Sequence, residues 1–348
     1  MRIGIINAVL FFMFFFLFTA CNPFSKNSSQ SASIEGKIPS NFTRNKTLYF
    51  FRYTDSLSLF LCEKKPTDSC EIKPDGSFKL ELKNWNSDGF FDLATTEFTF
   101  AKNYFLEQNQ NLHLFFEGND MPLKLSTYQD IGEYNLFLQT FYDTFFREPA
   151  TKRNYFVISN FMLAPDYAVY INERREHQKL FYKNYFNGQE INNTFKTYFE
   201  KELDFNWAND KVYFLWKKRT RQEFVPLDTS YFDFLKVINL DDPSALISPA
   251  YTRFIELYLT ELYQEELPNL PVGLKQTSFK IAVTGKKLKG LGKKIAYYQL
   301  IKNELNGVNL SSNPAQVAYV DSLTNLAFAS TGDSAYFRFV KSERNKNN

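Results

Sequence analysis

Residues 70–82 read Cys-Glu-Ile-Lys-Pro-Asp-Gly-Ser-Phe-Lys-Leu-Glu-Leu. From Phe78 to Leu82, apolar and charged residues alternate, which is the two-residue period of a half-buried strand. Pro74-Asp75-Gly76 precedes this run and is typical of a tight turn, because proline fixes φ and glycine accepts a positive φ. The stretch therefore predicts two strands joined by a turn, and it assigns this part of the chain to β-structure.

Further short strands separated by turn residues are predicted on both sides of this stretch. Short strands at regular spacing are typical of an antiparallel sandwich, so we predict a β-sandwich domain over residues 33–125. Its other predicted strands cover residues 34–38, 48–53, 57–62, 70–73, 89–93, 103–106 and 111–117.

From about Gln129 the apolar spacing lengthens to the three and four residues of a helix, as in Phe137, Phe141 and Phe145. Ser248-Pro249 and Asn313-Pro314 each place a capping residue before a proline at the first helical position. We predict an all-helical domain over residues 126–330, and hence an α+β fold. The predicted helices cover residues 129–147, 166–187, 191–221, 249–266, 293–306 and 315–329.

The first 20 residues have the composition of an export signal. Arg2 is their one charge, and an apolar run continues from Ile3 to Phe18. This run is short for a membrane span, which needs about 20 apolar residues. A basic start, a short apolar core and small residues before a cleavage site are typical of a secretory signal peptide. We therefore predict that residues 1–20 are removed.

Leu17-Phe18-Thr19-Ala20-Cys21 resembles the bacterial lipobox, whose cysteine is acylated and becomes the mature N-terminus, although Phe18 stands where leucine is usual. We expect a lipid anchor at Cys21 and a flexible tether over residues 21–32, since this stretch is polar and rich in small residues. The alternative is an ordinary signal peptide that leaves a free thiol at Cys21. No acidic export cluster follows, so we expect an outer-membrane protein facing the periplasm.

The charge balance excludes one class of function. Lysine and arginine total 41 and aspartate and glutamate 38, for a formal net charge of +3. A charge this close to zero provides no steering field for nucleic acid, so we expect no nucleic-acid partner. The membrane that holds the anchor, and an envelope protein, remain the expected partners.

Two cysteines besides Cys21 lie at the ends of two predicted strands. Cys62 and Cys70 are joined by a short polar loop, and an oxidising compartment favours a disulfide between them. Unpaired buried thiols and a redox-active pair remain as alternatives. Nothing in the surrounding sequence indicates the lowered thiol pKa that a redox cysteine requires.

The other side chains that could act in catalysis or metal binding lack the neighbouring residues that such a site needs. His113 is predicted on a strand facing solvent, and His177 on a charged helix face; neither has ligands at zinc spacing. The carboxylate pairs Asp241-Asp242 and Glu265-Glu266 fit a loop and a helix end. No nucleophile elbow of the form Gly-x-Ser-x-Gly occurs. We therefore expect no catalytic activity and no cofactor, with a hydrolase lacking a known motif as the weaker alternative.

Residues 285–294 form a lysine-rich stretch with three glycines, and they lack the phosphate-loop pattern. We interpret the stretch as a connection between helices, with contact to anionic lipid head groups as the alternative.

The rows of aromatic residues are predicted to lie in the core, while a groove for a peptide or glycan is the alternative. These rows include Phe195, Tyr198, Phe199, Phe205 and residues 213–216.

The order of several segments resembles the N-terminal portion of TlpA-like thiol-disulfide oxidoreductase lipoproteins of Bacteroidota. Those proteins combine a lipobox, a small β-domain, a helical middle and a C-terminal thioredoxin domain. The resemblance implies a β-domain followed by helices, and a place in an envelope redox system. The segments that carry it are residues 34–38, 72–78, 104–107, 134–138, 246–251 and 288–290.

The chain departs from that family at its end. Gly332 to Phe339 resembles the linker and first strand of the thioredoxin domain, within a tail at 331–348, but the sequence contains no Cys-x-x-Cys. Thiol exchange needs an activated thiolate and a neighbouring resolving thiol. We therefore expect a non-catalytic envelope lipoprotein with a binding or scaffolding role. The alternative is an accessory or truncated member of a thiol-disulfide system.

Overall fold

The computed structural model describes residues 31–42, 44, 46–53, 66–118, 124–125, 131–147, 161–266, 276–306 and 314–332. The predicted signal peptide, the lipidation residue Cys21, the strand at 57–62 and the tail beyond Gly332 lie outside these residues. The described part confirms the predicted α+β class: two β-sheets are followed by a helical region.

The β-region contains two four-stranded sheets. One has the order β4-β1-β7-β8 and the other β3-β2-β5-β6. The strands are β1 (Ala32–Lys37), β2 (Thr47–Tyr53), β3 (Asp68–Glu71), β4 (Ser77–Leu82), β5 (Gly89–Ala94), β6 (Thr99–Leu106), β7 (Asn111–Glu117) and β8 (Lys124–Leu125).

One strand pair differs from the predicted antiparallel pattern, because β1 and β7 run parallel. Their register places Ile34 opposite Leu112 and Gly36 opposite Leu114. A Cβ atom at Gly36 would lie 1.9 Å from the carbonyl oxygen of Leu114. Glycine at position 36 therefore permits the close approach of these two backbones. The remaining strand pairs among the described residues are antiparallel.

The predicted turn before β4 is present. The Gly76 N–H donates to the Lys73 carbonyl at 2.8 Å, and Gly76 has φ of +84°. The Asp75 carboxylate accepts hydrogen bonds from the Ser77 N–H and hydroxyl. The Ile38 N–H donates to the Gly76 carbonyl at 2.9 Å, so the turn also fixes the end of β1.

The two sheets pack face to face around an apolar core. Strand β4 follows the predicted alternation, with Phe78, Leu80 and Leu82 buried and the charged residues between them exposed. By contrast, every residue of β5 is buried. Because side chains alternate between the faces of a strand, β5 must be covered on both sides, and the sheet that contains it is an inner layer.

The helical region provides the second cover. Its α-helices are α1 (Glu133–Tyr142), α2 (Ala164–Phe186), α3 (Asn193–Thr220), α4 (Pro249–Glu266), α5 (Gln276–Lys287), α6 (Gly290–Asn306) and α7 (Pro314–Thr331). The bounds of α4 coincide with the prediction. Helix α5 was not predicted, and two short 3-10 helices, Thr229–Lys236 and Pro243–Ile247, also precede α4.

Aromatic rings join the sandwich to the helices. Phe90 of β5 and Phe105 of β6 are buried, and the ring centroid of Phe90 lies 3.9 Å from that of Tyr198 on α3. Phe105 contacts Phe195 with a centroid distance of 5.4 Å, and Phe137 of α1 contacts Phe195 at 5.9 Å. One aromatic cluster therefore includes residues of both regions.

Asn135 of α1 gives this junction its most specific polar contact. Its Oδ1 accepts from the Phe105 N–H at 2.7 Å, and its Nδ2 donates to the Phe105 carbonyl at 2.7 Å. Nδ2 also donates to the Ile131 carbonyl. Strand β6 is the last strand of its sheet, so the amide takes the place of a neighbouring strand at this one residue. Asn135 is 1 % exposed, so water does not replace these bonds.

A second junction lies at the start of α3. The Asn192 carboxamide oxygen accepts from the Thr194 N–H at 3.0 Å, and its Nδ2 donates to Asp88 of the sandwich at 2.7 Å. Asparagine is favoured as a helix N-cap because its side chain satisfies N–H groups of the first turn. One residue therefore begins α3 and binds it to the β-region.

Helices α3 and α4 are joined along their lengths. The Glu202 carboxylate accepts from the Ser248 hydroxyl at 2.6 Å and from the Ala250 N–H at 3.1 Å, at the start of α4. Near the other end, Arg219 and the buried Glu261 form an ion pair at 2.6 Å. A carboxylate at a helix N-terminus also interacts favourably with the helix dipole.

We predict that Asn135→Ala lowers the free energy of unfolding by about 2 to 4 kcal/mol, because it leaves the buried N–H and C=O of Phe105 without partners. Urea denaturation followed by circular dichroism measures the change. The control is Asn325→Ala, since Asn325 is exposed on α7, and we expect it to change stability by no more than about 0.5 kcal/mol. Equal effects of the two substitutions would show that the Asn135 amide has no special role.

Candidate binding site

A polar groove lies between α4, α5 and α6, with a cavity volume of about 130 Å³. This volume is close to the ~150 Å³ of an apolar cavity that holds one benzene molecule, so the groove fits a single small group or one side chain of a partner. Its lining residues are Glu256, Leu259, Thr260, Tyr263, Gln264, Gln276, Lys280, Gln299, Leu300 and Asn303.

Helical spacing places the polar groups of the groove. Thr260 and Gln264 are four residues apart on α4, and Gln299 and Asn303 are four apart on α6, so each pair lies on one side of its helix. The exposed side chains at the rim include Gln264, Gln276 and Asn303. Each carboxamide carries both donors and an acceptor, and the groove therefore suits a ligand or partner with hydrogen-bonding groups of both kinds.

The floor of the groove is fixed by buried hydrogen bonds. Gln299 is 3 % exposed, and its Nε2 donates to the Thr252 carbonyl at 2.8 Å. The Tyr263 hydroxyl contacts the Thr284 hydroxyl at 2.7 Å. Burial raises the pKa of Tyr263 well above its usual range, so this phenol stays protonated. The side chains of the floor are held by these hydrogen bonds. The groups that can contact a ligand are the exposed carboxamides at the rim and Lys280.

Lys280 adds one positive charge to the groove. Its ammonium lies 5.3 Å from the centre of the Tyr263 ring, within the range of a cation–π interaction. Glu256 is the carboxylate among the lining residues. One cation and one anion give the groove no strong preference for a charged ligand.

The sequence did not predict this groove, because one of its three walls is α5 and that helix was not predicted. Helix α5 contains β-branched residues and Gly285, which lower helix propensity. The paired polar residues at 260 and 264 and at 299 and 303 were the available signal.

A second unusual group, Lys211 of α3, is enclosed by aromatic rings. Its side chain is buried, and its Nζ lies 4.9 Å from the ring centre of Trp207 and 5.7 Å from that of Phe234. Burial, together with the nearby Arg175 guanidinium, lowers the Lys211 pKa to about 8. Arg175 itself lies 4.1 Å from the Trp207 ring and pairs with Asp204.

A lysine with a lowered pKa can act as a nucleophile or base where a substrate reaches it. Lys211 is 5 % exposed, and it does not line the groove. The arrangement is therefore explained by packing: the methylene chain fills the core, and the rings accept the ammonium through cation–π interactions.

Of the three cysteines predicted as sites, the structure describes Cys70. Cys21 and Cys62 lie outside the described residues, so the lipid anchor and the Cys62–Cys70 disulfide stay predictions. Cys70 lies on β3 and is half-buried. Burial raises its pKa to about 11, which is opposite to the shift that an attacking thiolate requires.

The two histidines lie on different elements, one on a strand and one on a helix. His113 of β7 faces Glu35 of β1 across the parallel pair, with Nδ1 3.0 Å from the carboxylate, and both side chains are more than one-third exposed. His177 is exposed on α2. Both positions agree with the predictions. In the described ranges, His, Cys, Asp and Glu side chains form no cluster suited to a metal ion.

The carboxylate pairs have structural roles. The Leu291 N–H donates to Asp241 at 2.5 Å, at the start of α6. Asp242 caps the 3-10 helix at Pro243–Ile247 and pairs with Lys201 at 2.7 Å. Glu266 pairs with Lys287 at 3.1 Å, and the Glu265 side chain lies outside the described part of the structure. These contacts agree with the predicted loop and helix-end positions.

The lysine-rich stretch at 285–294 covers the end of α5 and the start of α6, as the predicted connection requires.

The predicted aromatic core is confirmed for Phe195, Tyr198, Phe199 and Phe205, which are buried. Within residues 213–216, Phe214 and Leu215 are buried as predicted. The prediction is wrong for Tyr213, which is 37 % exposed and stacks on Trp216 with a ring-centroid distance of 5.4 Å.

No family model, curated protein or solved structure matches this chain. Within the ranges given above, none of the helices is both long enough and apolar enough to cross a bilayer.

We predict that Lys211→Met stabilises the protein by about 1 to 2 kcal/mol at pH 7, because it removes a buried charge while keeping the apolar volume. The folded pKa of about 8 lies below the unfolded value of 10.5. Between these values the unfolded state binds more protons, so the stability of the original protein rises with pH. We therefore expect the advantage of the variant to shrink from pH 7 to pH 10.

Urea denaturation at the two pH values measures this difference. The matched control is Lys196→Met, since Lys196 is an exposed lysine on the same helix, and we expect it to change stability by no more than about 0.5 kcal/mol at either pH. An advantage of Lys211→Met that is the same at pH 7 and pH 10 would contradict the assignment.

Proposed function

We propose that this protein is a non-catalytic lipoprotein of the cell envelope with a binding or scaffolding role. The observation that carries the proposal is the lipobox-like run from Leu17 to Cys21, which follows a short apolar leader. An acylated Cys21 would hold the folded regions at a membrane, because each buried methylene of an acyl chain contributes about 0.8 kcal/mol.

The binding role is supported by the groove between α4, α5 and α6. Its exposed amides present donors and acceptors, and its small volume suits a projecting side chain or turn of a partner better than a large substrate. Backbone N–H and C=O groups in the interior of a helix are satisfied within that helix, so recognition along the α4 and α6 walls would use side chains. We propose an envelope protein as the partner at this site.

A second candidate is an accessory role in an envelope thiol-disulfide system. It is favoured by the order of the segments that resemble TlpA-like lipoproteins. Because the sequence has no Cys-x-x-Cys, the redox domain would act from a separate chain or a continuation of this one. The intact mass of the native protein, together with the reading frame after codon 348, tests this candidate.

We predict that Cys21→Ser abolishes lipid attachment. In cells fed radiolabelled palmitate, the original protein should carry label and partition with membranes, whereas the variant should do neither, since serine lacks the thiol that receives diacylglycerol. Cys70→Ser is the matched control, and it should keep both label and location. Label retained by Cys21→Ser would remove the anchor from the proposal.

We further predict that a photo-crosslinking amino acid at Asn303 forms one discrete adduct in intact cells, because Asn303 is exposed at the groove rim. The same group at Asn325, exposed on α7, should form none. Adding Gln264→Ala should reduce the adduct at 303 several-fold, since one hydrogen bond contributes about 0.5 to 1.5 kcal/mol. Equal adducts at both positions would argue against the groove as the binding surface.

A further inference from the structure

One end of the α2–α3 pair exposes large apolar side chains. Phe161, just before α2, is 82 % exposed and Leu163 is 64 % exposed, while Phe224, after α3, is 90 % exposed. Single exposed apolar residues are normal, but a group of them beside one another marks an interaction surface.

Antiparallel packing brings these residues together. Tyr167 of α2 stacks on Phe214 of α3 with a centroid distance of 4.1 Å. Leu163 lies one turn before Tyr167, and Lys218 lies one turn after Phe214. Farther along the pair, Trp207 donates to Asn172 at 2.9 Å, which fixes the same antiparallel register. The start of α2 and the end of α3 therefore lie at the same end of the pair.

Cations and amphipathic rings lie on the last turns of α3 and at its C-cap. Tyr213 and Lys217 are four residues apart on one side of α3, and Arg221, the C-cap residue, follows four residues later. Trp216 stacks on Tyr213 and is half-buried. We call this set, Phe161, Leu163, Tyr213, Trp216, Lys217, Arg221 and Phe224, the basic–aromatic end.

The local charge at this end is positive. The stretch from 217 to 224 holds four cations, Lys217, Lys218, Arg219 and Arg221, against Glu223. Arg219 is paired with Glu261 of α4, so two positive charges remain in excess. Glu223 pairs with Lys218 at 2.6 Å and lies 3.9 Å from Arg221. Burial, together with repulsion from Arg221 and Lys218, lowers the pKa of Lys217.

We propose that the basic–aromatic end binds the anionic surface of a lipid bilayer. Phe161, Leu163 and Phe224 would enter the head-group region, Trp216 and Tyr213 would lie at the interface where amphipathic rings are favoured, and Lys217 and Arg221 would face lipid phosphates. The choice of lipid rests on the proposed anchor at Cys21, which would keep this surface near a membrane.

Tryptophan fluorescence can report contact of this surface with lipid. Trp85 and Trp207 are 2 % and 7 % exposed, whereas Trp216 lies within the proposed contact. Quenching of tryptophan fluorescence by brominated lipid should therefore come from Trp216 and should disappear in Trp216→Phe.

The test uses the mature chain with Cys21→Ser, so that no acyl chain contributes. We expect co-sedimentation with vesicles of phosphatidylglycerol and phosphatidylcholine at low salt, weaker binding at high salt, and little binding to pure phosphatidylcholine. Phe161→Ser with Phe224→Ser should weaken binding tenfold or more, and Lys217→Gln with Arg221→Gln should weaken it about fivefold per cation.

The matched control replaces two exposed apolar residues elsewhere, Val237→Ser with Leu326→Ser, which are 61 % and 51 % exposed and should leave binding unchanged. Equal losses in the control, quenching retained in Trp216→Phe, or no vesicle binding would each overturn the proposal. Self-association that Phe161→Ser and Phe224→Ser abolish, without vesicle binding, would assign the surface to a second copy of the chain. A failure here leaves the Cys21 labelling result intact, so the two proposals are separable.

Discussion

The burial of β5 on both faces is the constraint on which the rest of the structure depends. A sandwich alone covers one face of each sheet and leaves the other to water. Here Phe91 and Leu93 belong to the sandwich core, whereas Phe90 belongs to the aromatic cluster shared with the helices. The chain must therefore supply a third layer, and α1 and the start of α3 provide it. The junction is built around a cluster of aromatic side chains, and Asn135 and Asn192 give it a fixed register through directed hydrogen bonds.

Helix α3 connects the features that bear on function. It begins at the junction with the sandwich, passes the buried Lys211 and ends among the residues of the basic–aromatic end. A helix of 28 residues is about 42 Å long, so one rigid element separates the β-region from that end. Its partner α4 carries one wall of the polar groove. The contacts of Glu202 and Arg219 with α4 thus position the groove relative to both ends of α3.

Local patterns were sufficient for much of the fold. The alternation at 78–82 and the turn at Pro74–Gly76 correctly predicted β4. Ser248-Pro249 correctly predicted the start of α4. Both signals depend on residues that are close together in the sequence. The parallel pairing of β1 with β7 depends on contacts between distant segments, so the sequence pattern did not indicate it. Helix α5 was missed because burial of Phe279 and Val283 stabilises it despite poor local propensity. The groove needs α5, and the rings around Lys211 include Phe234 from a separate segment, so neither site followed from local spacing.

The parallel pair has a consequence for the order in which the chain folds. Ser33 of β1 contacts Asn111 of β7, 78 positions later. A chain that is synthesised from its N-terminus exposes β1 long before its parallel partner β7 is made. Until then β1 has only β4 beside it, and an isolated two-stranded sheet is at best marginally stable. Contacts at long sequence separation also slow folding. The sandwich therefore closes only after residue 117 has been made, and the free edge of β1 remains open to aggregation during that interval.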